Sequence, residues 1–137
     1  NQENYIPDLV VLLQNTSPLR TSQHIDDAID FFKKNNFDSI LSGSISHFNL
    51  WKIHNNFALP VNYNPLKRQN RQDMKNQFVE NGAIYITKNT FFTKSQCRIS
   101  GKIGIFKMSE EDSIEIDSLN DLFIAEQILK MRKKNEY

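Results

Sequence analysis

The sequence predicts one three-layer α/β domain, residues 1–137, built on a mixed sheet. Three observations carry that prediction. The apolar run Leu9 to Leu13 reads as a strand, and after a loop it meets a helical pattern at Ile25, Ala28, Ile29 and Phe32. A second short strand, from about Ser39 to Ile45, follows that helix and completes a β-α-β order. Near the end, "DSIEIDSLNDLFIAEQILKMRKK" joins a period-two signal to a helical one. The full order is β-α-β, an irregular insert, β, β, β-α, and it packs helices against a sheet.

Each element has its own grounds. The Leu-Val-Val-Leu-Leu run lacks polar alternation, the pattern of a strand buried on both faces in the middle of a parallel sheet. Position 1 is Asn and this strand comes almost at once, so earlier strands of the same sheet are expected upstream, leaving the fold incomplete at its N-terminus. Ser17-Pro18 favours a turn. Thr21 or Ser22 caps the first helix, Asp26 and Asp27 fall in its first turn, Lys33 and Lys34 in its last, and Asn35-Asn36 ends it. From His47 to Gln77 the chain is polar and irregular, with a basic patch at Lys67, Arg68 and Arg71. "NGAIYI" reads as a strand entered through an Asn81-Gly82 turn, and Ile103 to Met108 as another strand. Ile114 and Ile116 alternate with Glu115 and Asp117 as a last strand. Ser118 and Asp121 make a capping box in which Asp replaces the usual Glu or Gln. Leu122, Ala125, Ile128 and Leu129 form the buried stripe of a closing helix, whose end carries Arg132, Lys133 and Lys134.

Composition narrows the class. The chain is 39% hydrophobic and 24% charged, the balance of an ordinary globular domain. Its 17 basic and 16 acidic residues give a net charge of +1 and no global field for nucleic acid or an anionic membrane. No run approaches the roughly 20 apolar residues of a membrane helix. Cys97 is the single cysteine, which rules out an internal disulfide and fits a reducing, cytoplasmic compartment.

Several residues could carry chemistry. In open α/β sheets ligands bind beyond the carboxyl ends of strands, where Gln14, Thr16 and Ser17 lie. A glutamine amide both donates and accepts, as reading a base or a sugar hydroxyl requires; read locally, the same residues also cap a strand and turn the chain. Glu115 and Asp117, two apart on a strand, leave one face and repel unless a cation separates them. Mg²⁺ takes few protein carboxylates and completes its shell with water and substrate phosphates, so the pair suits a metal-bound triphosphate; it also suits a solvated strand edge. Arg68 and Arg71 can grip phosphate or carboxylate through paired hydrogen bonds, or form an ordinary basic loop. His24, His47 and His54 have no metal-ligand spacing, and Phe91-Phe92 reads as a hydrophobic plug.

The order of these motifs is more specific than any one of them. "LLQNTSPLRT", then "RQ" in a polar loop, "NGAIYI", and "DSIEID" ahead of a helix resemble the CMP-N-acylneuraminate cytidylyltransferase family over Leu12 to about Leu129. That resemblance implies a nucleotide-diphosphosugar-transferase-like, Rossmann-like fold with an inserted dimerisation and substrate segment within 47–102. It implies a cytoplasmic, Mg²⁺-dependent homodimer with CTP and a nonulosonic acid as substrates, giving a CMP-sugar and pyrophosphate. By position, it implies substrate contacts from Gln14 and the Ser17 to Arg20 loop, a carboxylate or phosphate contact from Arg71, and substrate-side roles for Asn81 and Tyr85. Glu115 and Asp117 match the family's metal-binding acids. Phe91 and Phe92 match a pair that reaches the partner subunit's sugar pocket.

The sequence departs from the family pattern in places. Asn15 stands where proline is usual, Glu115 where Asp is common, and Val79 where arginine is frequent. The last change is compatible with a different sugar, such as legionaminic or pseudaminic acid. The family's opening phosphate loop has no counterpart in these residues, so the 137 residues by themselves are expected to show no turnover. A competing expectation is a non-catalytic assembly or binding module that retains the fold.

Overall fold

Strand pairing, not the apolar runs alone, decides how these elements assemble. The computed structural model describes residues 5–74 and 76–135. It divides into two units, one of residues up to 44 and from 80 onward, the other of residues 45–79.

The larger unit holds a four-stranded sheet ordered β1-β5-β2-β6, flanked by helices. Strand β1 (Leu9–Leu12) runs antiparallel to β5 (Phe78–Lys88), with Leu12 opposite Tyr85. Strand β2 (Ser39–Ile45) runs parallel to β6 (Ile103–Lys107), with Ser39 opposite Ile103. The sheet is therefore mixed and the class α/β, as the sequence predicts. Helix α1 (Ser22–Lys34) packs Ala28 and Phe32 onto Ile40, Ile84 and Ile86. Its N-cap is Thr21, and a capping box closes through His24: each side chain bonds the other's backbone N–H. The short helix α2 (Asn89–Ser95) follows β5 directly. Helix α3 (Leu119–Asn135) opens on the expected Ser118–Asp121 box: Asp121 N–H donates to Ser118 Oγ at 3.3 Å and Ser118 N–H to Asp121 Oδ2 at 2.8 Å.

Five expectations are corrected. The first strand is not central and parallel: among the described residues it is the sheet's edge, antiparallel, with Val11 and Leu12 each 38% exposed. An unbroken apolar run says only that both faces are apolar, not which strands lie alongside. Asn81-Gly82 is no turn but lies within β5, where Gly82 takes φ +64°. Residues 114–117 form no strand. A 3-10 turn (Glu111–Ser113) leads into them, and a single backbone bond, Ile116 N–H to Thr16 C=O at 2.9 Å, ties them to the first loop. Period-two alternation needs a partner strand to become a ladder, and α3 begins before one can form. On α3 only Ala125 of the expected stripe is buried; Leu122 and Leu129 are exposed. Asp26 and Asp27 fall beyond the first turn of α1, which carries no acid.

The 45–79 unit is less irregular than its polarity suggests. It contains an antiparallel hairpin, β3 (Trp51–His54) and β4 (Phe57–Pro60). Asn55 and Asn56 both have positive φ, the two-residue turn that matches strand twist. Asn62 closes the unit, accepting from Leu50 N–H and donating to Phe48 C=O, both at 2.8 Å. No helix among the described residues is long and apolar enough to cross a membrane.

Candidate functional site

Gly82 is the centre of the site. A Cβ placed on it would sit 2.0 Å from Gln14 Oε1 and 2.1 Å from Glu115 Oε1. The amide at the end of the first strand and the carboxylate before the last helix thus meet over one bare Cα. Only glycine leaves that space, and only glycine takes φ +64° there without steric cost.

Two devices bring Gln14 and Glu115 to this point. Arg20 Nη1 donates to the carbonyls of Gln14 and Ala83, both at 2.8 Å, and so clamps the loop after β1 to the middle of β5. Asn81 is the second. Its Oδ1 accepts from Ser42 Oγ at 2.6 Å, and its Nδ2 donates to Ser113 Oγ at 2.7 Å, two residues before Glu115. Ser17 Oγ donates to Asn81 C=O at 3.2 Å. Asn81 and Ser17 are buried and their polar atoms are engaged within the protein. As found, these bonds hold β5, the first loop and the acidic segment together. Asn81→Ala takes the acceptor from the buried Ser42 hydroxyl, which keeps only the bond it accepts from Ile84 N–H, and removes the donor to Ser113 Oγ; a cost of roughly 1–3 kcal/mol and a fall in melting temperature of several degrees are expected by circular dichroism.

The acids interact electrostatically. Burial raises the Glu115 carboxyl above its usual range, and the negative charges of Asp117 and Glu80 push it further up. Asp117 is exposed, and its N–H donates to Asp121 Oδ2 at 3.3 Å. Among the described residues no group of three or more acid, histidine or cysteine side chains is close enough to hold a metal. The protein therefore offers a pair of acids, with the Gln14 oxygen beside one of them. All-oxygen donors of this kind, with the Asp117 charge acting on Glu115, suit a hard divalent cation that completes its shell elsewhere.

Tyr85 is 2% exposed, and its hydroxyl donates to Glu80 Oε1. Burial, followed by that bond and the Glu80 charge, pushes its ionisation up to about 12. Phe91 and Phe92 lie on α2, both partly buried; Phe91 borders a hollow of about 290 Å³ with Lys94, Ser95, Ser100 and Gly101. Arg71 belongs to the 45–79 unit. There Arg68, Arg71, His47 and Asn49 line a pocket of about 440 Å³. His47 Nδ1 is buried without a partner in the protein.

Comparison with known proteins gives a consistent result. No family model matches the chain. It is 31% identical to N-acylneuraminate cytidylyltransferase A of Danio rerio over 88% of its own length, and 32% identical to the N-acylneuraminate cytidylyltransferase of Oncorhynchus mykiss, again over 88%. The enzyme of the same name from Streptococcus agalactiae serotype V is 28% identical over 81% of this chain. The chain spans 28–29% of the length of these three relatives.

Sequence reasoning missed two residues of this region, Glu80 and Arg98. On a regular strand Glu80 and Tyr85, an odd number apart, face opposite sides. The left-handed glycine between them changes that phase, and a lone Gly inside a strand pattern was the available signal.

Proposed function

Because the chain belongs to the N-acylneuraminate cytidylyltransferase family, we propose that its residues serve the transfer of CMP from CTP to a nine-carbon keto-sugar acid, with release of pyrophosphate. The observation that carries this reading is the meeting of Gln14 and Glu115 over Gly82. In the reaction the sugar's anomeric hydroxyl forms a bond to the α-phosphorus while the bond to pyrophosphate breaks. Catalysis of this kind is mostly positioning and charge neutralisation.

On this reading the Gln14 amide donates to and accepts from sugar hydroxyls, held in place by Arg20 through its own backbone carbonyl. Glu115 and Asp117 would hold Mg²⁺, which when bound neutralises charge on the phosphates. The guanidinium groups of Arg68 and Arg71 offer an anion site within the 45–79 unit. The β3–β4 hairpin exposes Ile53 and Phe57, which supports reading this unit as the segment through which two copies pair, as the Phe91-Phe92 reading also requires.

The test is CTP-dependent pyrophosphate release with N-acetylneuraminate, legionaminate and pseudaminate. One of the three is expected to turn over in the active protein. Gln14→Ala is expected to raise the KM for that sugar roughly tenfold or more, with the KM for CTP little changed, because a lost hydrogen bond to a substrate hydroxyl is worth about 0.5–1.5 kcal/mol and an unpaired partner costs more. An unchanged sugar KM removes Gln14 from the role.

A further inference from the structure

Near Gly82, Arg98 is an exposed cation held on several sides. Arg98 Nη2 lies 3.2 Å from Glu80 Oε1, the oxygen that also accepts the Tyr85 hydroxyl. Its guanidinium carbon lies 4.7 Å from the centre of the Tyr85 ring. Its main-chain carbonyl accepts from Thr87 Oγ1 on β5. Tyr85 is buried, whereas the side chains of Arg98 and Glu80 are 47% and 40% exposed. Of the three groups, then, Tyr85 is the buried anchor, and Arg98 and Glu80 are at the surface.

We propose that Arg98 is a substrate-binding residue that takes the carboxylate of the acidic sugar, with Glu80 as its resting partner and the Tyr85 ring as its platform. The inference rests on the functional reading above, since it names the group that recognises the acid in that substrate. Three features carry it. First, three acids, Glu80, Glu115 and Asp117, are gathered here, and the charges of Glu80 and Asp117 act on Glu115; an anionic substrate approaching them needs a local cation. Second, Arg20 is committed to two backbone carbonyls, whereas the Arg98 guanidinium meets side chains, Glu80 through Nη2 and the neighbouring Tyr85. Third, the guanidinium lies over the Tyr85 ring, a contact that restricts the side chain, and the arginine fork binds a carboxylate with two parallel bonds. A substrate carboxylate would take the place of Glu80 or share the fork with it, while the guanidinium keeps its contact with the ring.

The experiment is calorimetric binding of N-acetylneuraminate and of its methyl ester to the active protein and to its Arg98→Gln and Arg98→Lys variants. Arg98→Gln is expected to weaken binding of the acid at least tenfold and to leave the uncharged ester within about twofold. Arg98→Lys is expected to restore little, because lysine has neither the fork nor the planar face. If Arg98→Gln weakens acid and ester alike, Arg98 merely roofs Tyr85 and the inference is overturned. It is also overturned if the acid binds the variant as it binds the unchanged protein. If the unchanged protein binds neither form, with or without CTP, the functional reading itself fails.

Discussion

Gly82→Ala is expected to cause the largest loss of any single methyl addition in this chain. Residues other than glycine pay about 1–2 kcal/mol in the left-handed region that Gly82 occupies. The added Cβ would also sit 2.0 Å and 2.1 Å from oxygens of Gln14 and Glu115, far inside contact distance. Both side chains must move, and they are the two groups on which the site depends. We expect stability to fall by about 2–3 kcal/mol and activity by roughly a hundredfold, the scale on which small misplacements act. Urea unfolding and steady-state kinetics check the two parts separately. Wild-type kinetics in the alanine variant would mean that Gln14 and Glu115 need not share this space.

The second large effect concerns the acids, and its two halves have opposite sign. Asp117→Asn and Glu115→Gln should each lower the Mg²⁺-dependent rate by roughly two to three orders of magnitude, because a neutral amide is a poor ligand for a hard cation. Glu115→Gln should nevertheless stabilise the metal-free fold near neutral pH. Burial and the charges of Asp117 and Glu80 raise the Glu115 carboxyl in the folded chain. A raised carboxyl contributes stability below its unfolded range and loses it as pH climbs through the folded value. At pH 7 the wild-type protein therefore carries an unfavourable charge that the variant lacks. Melting in chelator should show the variant higher by roughly 2–4 °C at pH 7, with the gain shrinking as pH falls and Glu115 takes up its proton. An equal or lower melting temperature at pH 7 would indicate that the Glu115 carboxylate is better compensated than its neighbours imply.

These outcomes depend on features unequally legible in the sequence. Strand β2 and helix α1 could be read almost residue by residue, because their limits are set by local chemistry: a cap at Thr21, basic residues at Lys33 and Lys34, an asparagine pair after them. The Ser118–Asp121 box was legible for the same reason. Pairing was not. Leu9 to Leu12 carries no mark of the antiparallel partner that makes it an edge, and the alternation at 114–117 carries none of a missing one. The β3–β4 turn was legible in principle, since two adjacent asparagines between WKIH and FALP favour positive φ at both positions.

In the candidate site, sequence order brought Gln14 and Glu115 under consideration together, but nothing in it placed Gly82 beneath them. Asn81 and Ser17, singled out for a substrate, are occupied with each other and with Ser42 and Ser113. Arg98 was invisible because its partners depend on a phase change within β5 that no periodicity reports.

The most direct measurement uses Mn²⁺ as a paramagnetic stand-in for the divalent cation, with the side-chain amide of Gln14 observed by NMR. If Glu115 and Asp117 hold a cation over Gly82, substoichiometric Mn²⁺ should broaden the Gln14 NH₂ signals in the unchanged protein and spare them in Glu115→Gln and Asp117→Asn. Gln14 signals that stay sharp while Mn²⁺ broadens other residues, or that broaden equally in the acid-to-amide variants, would contradict the account.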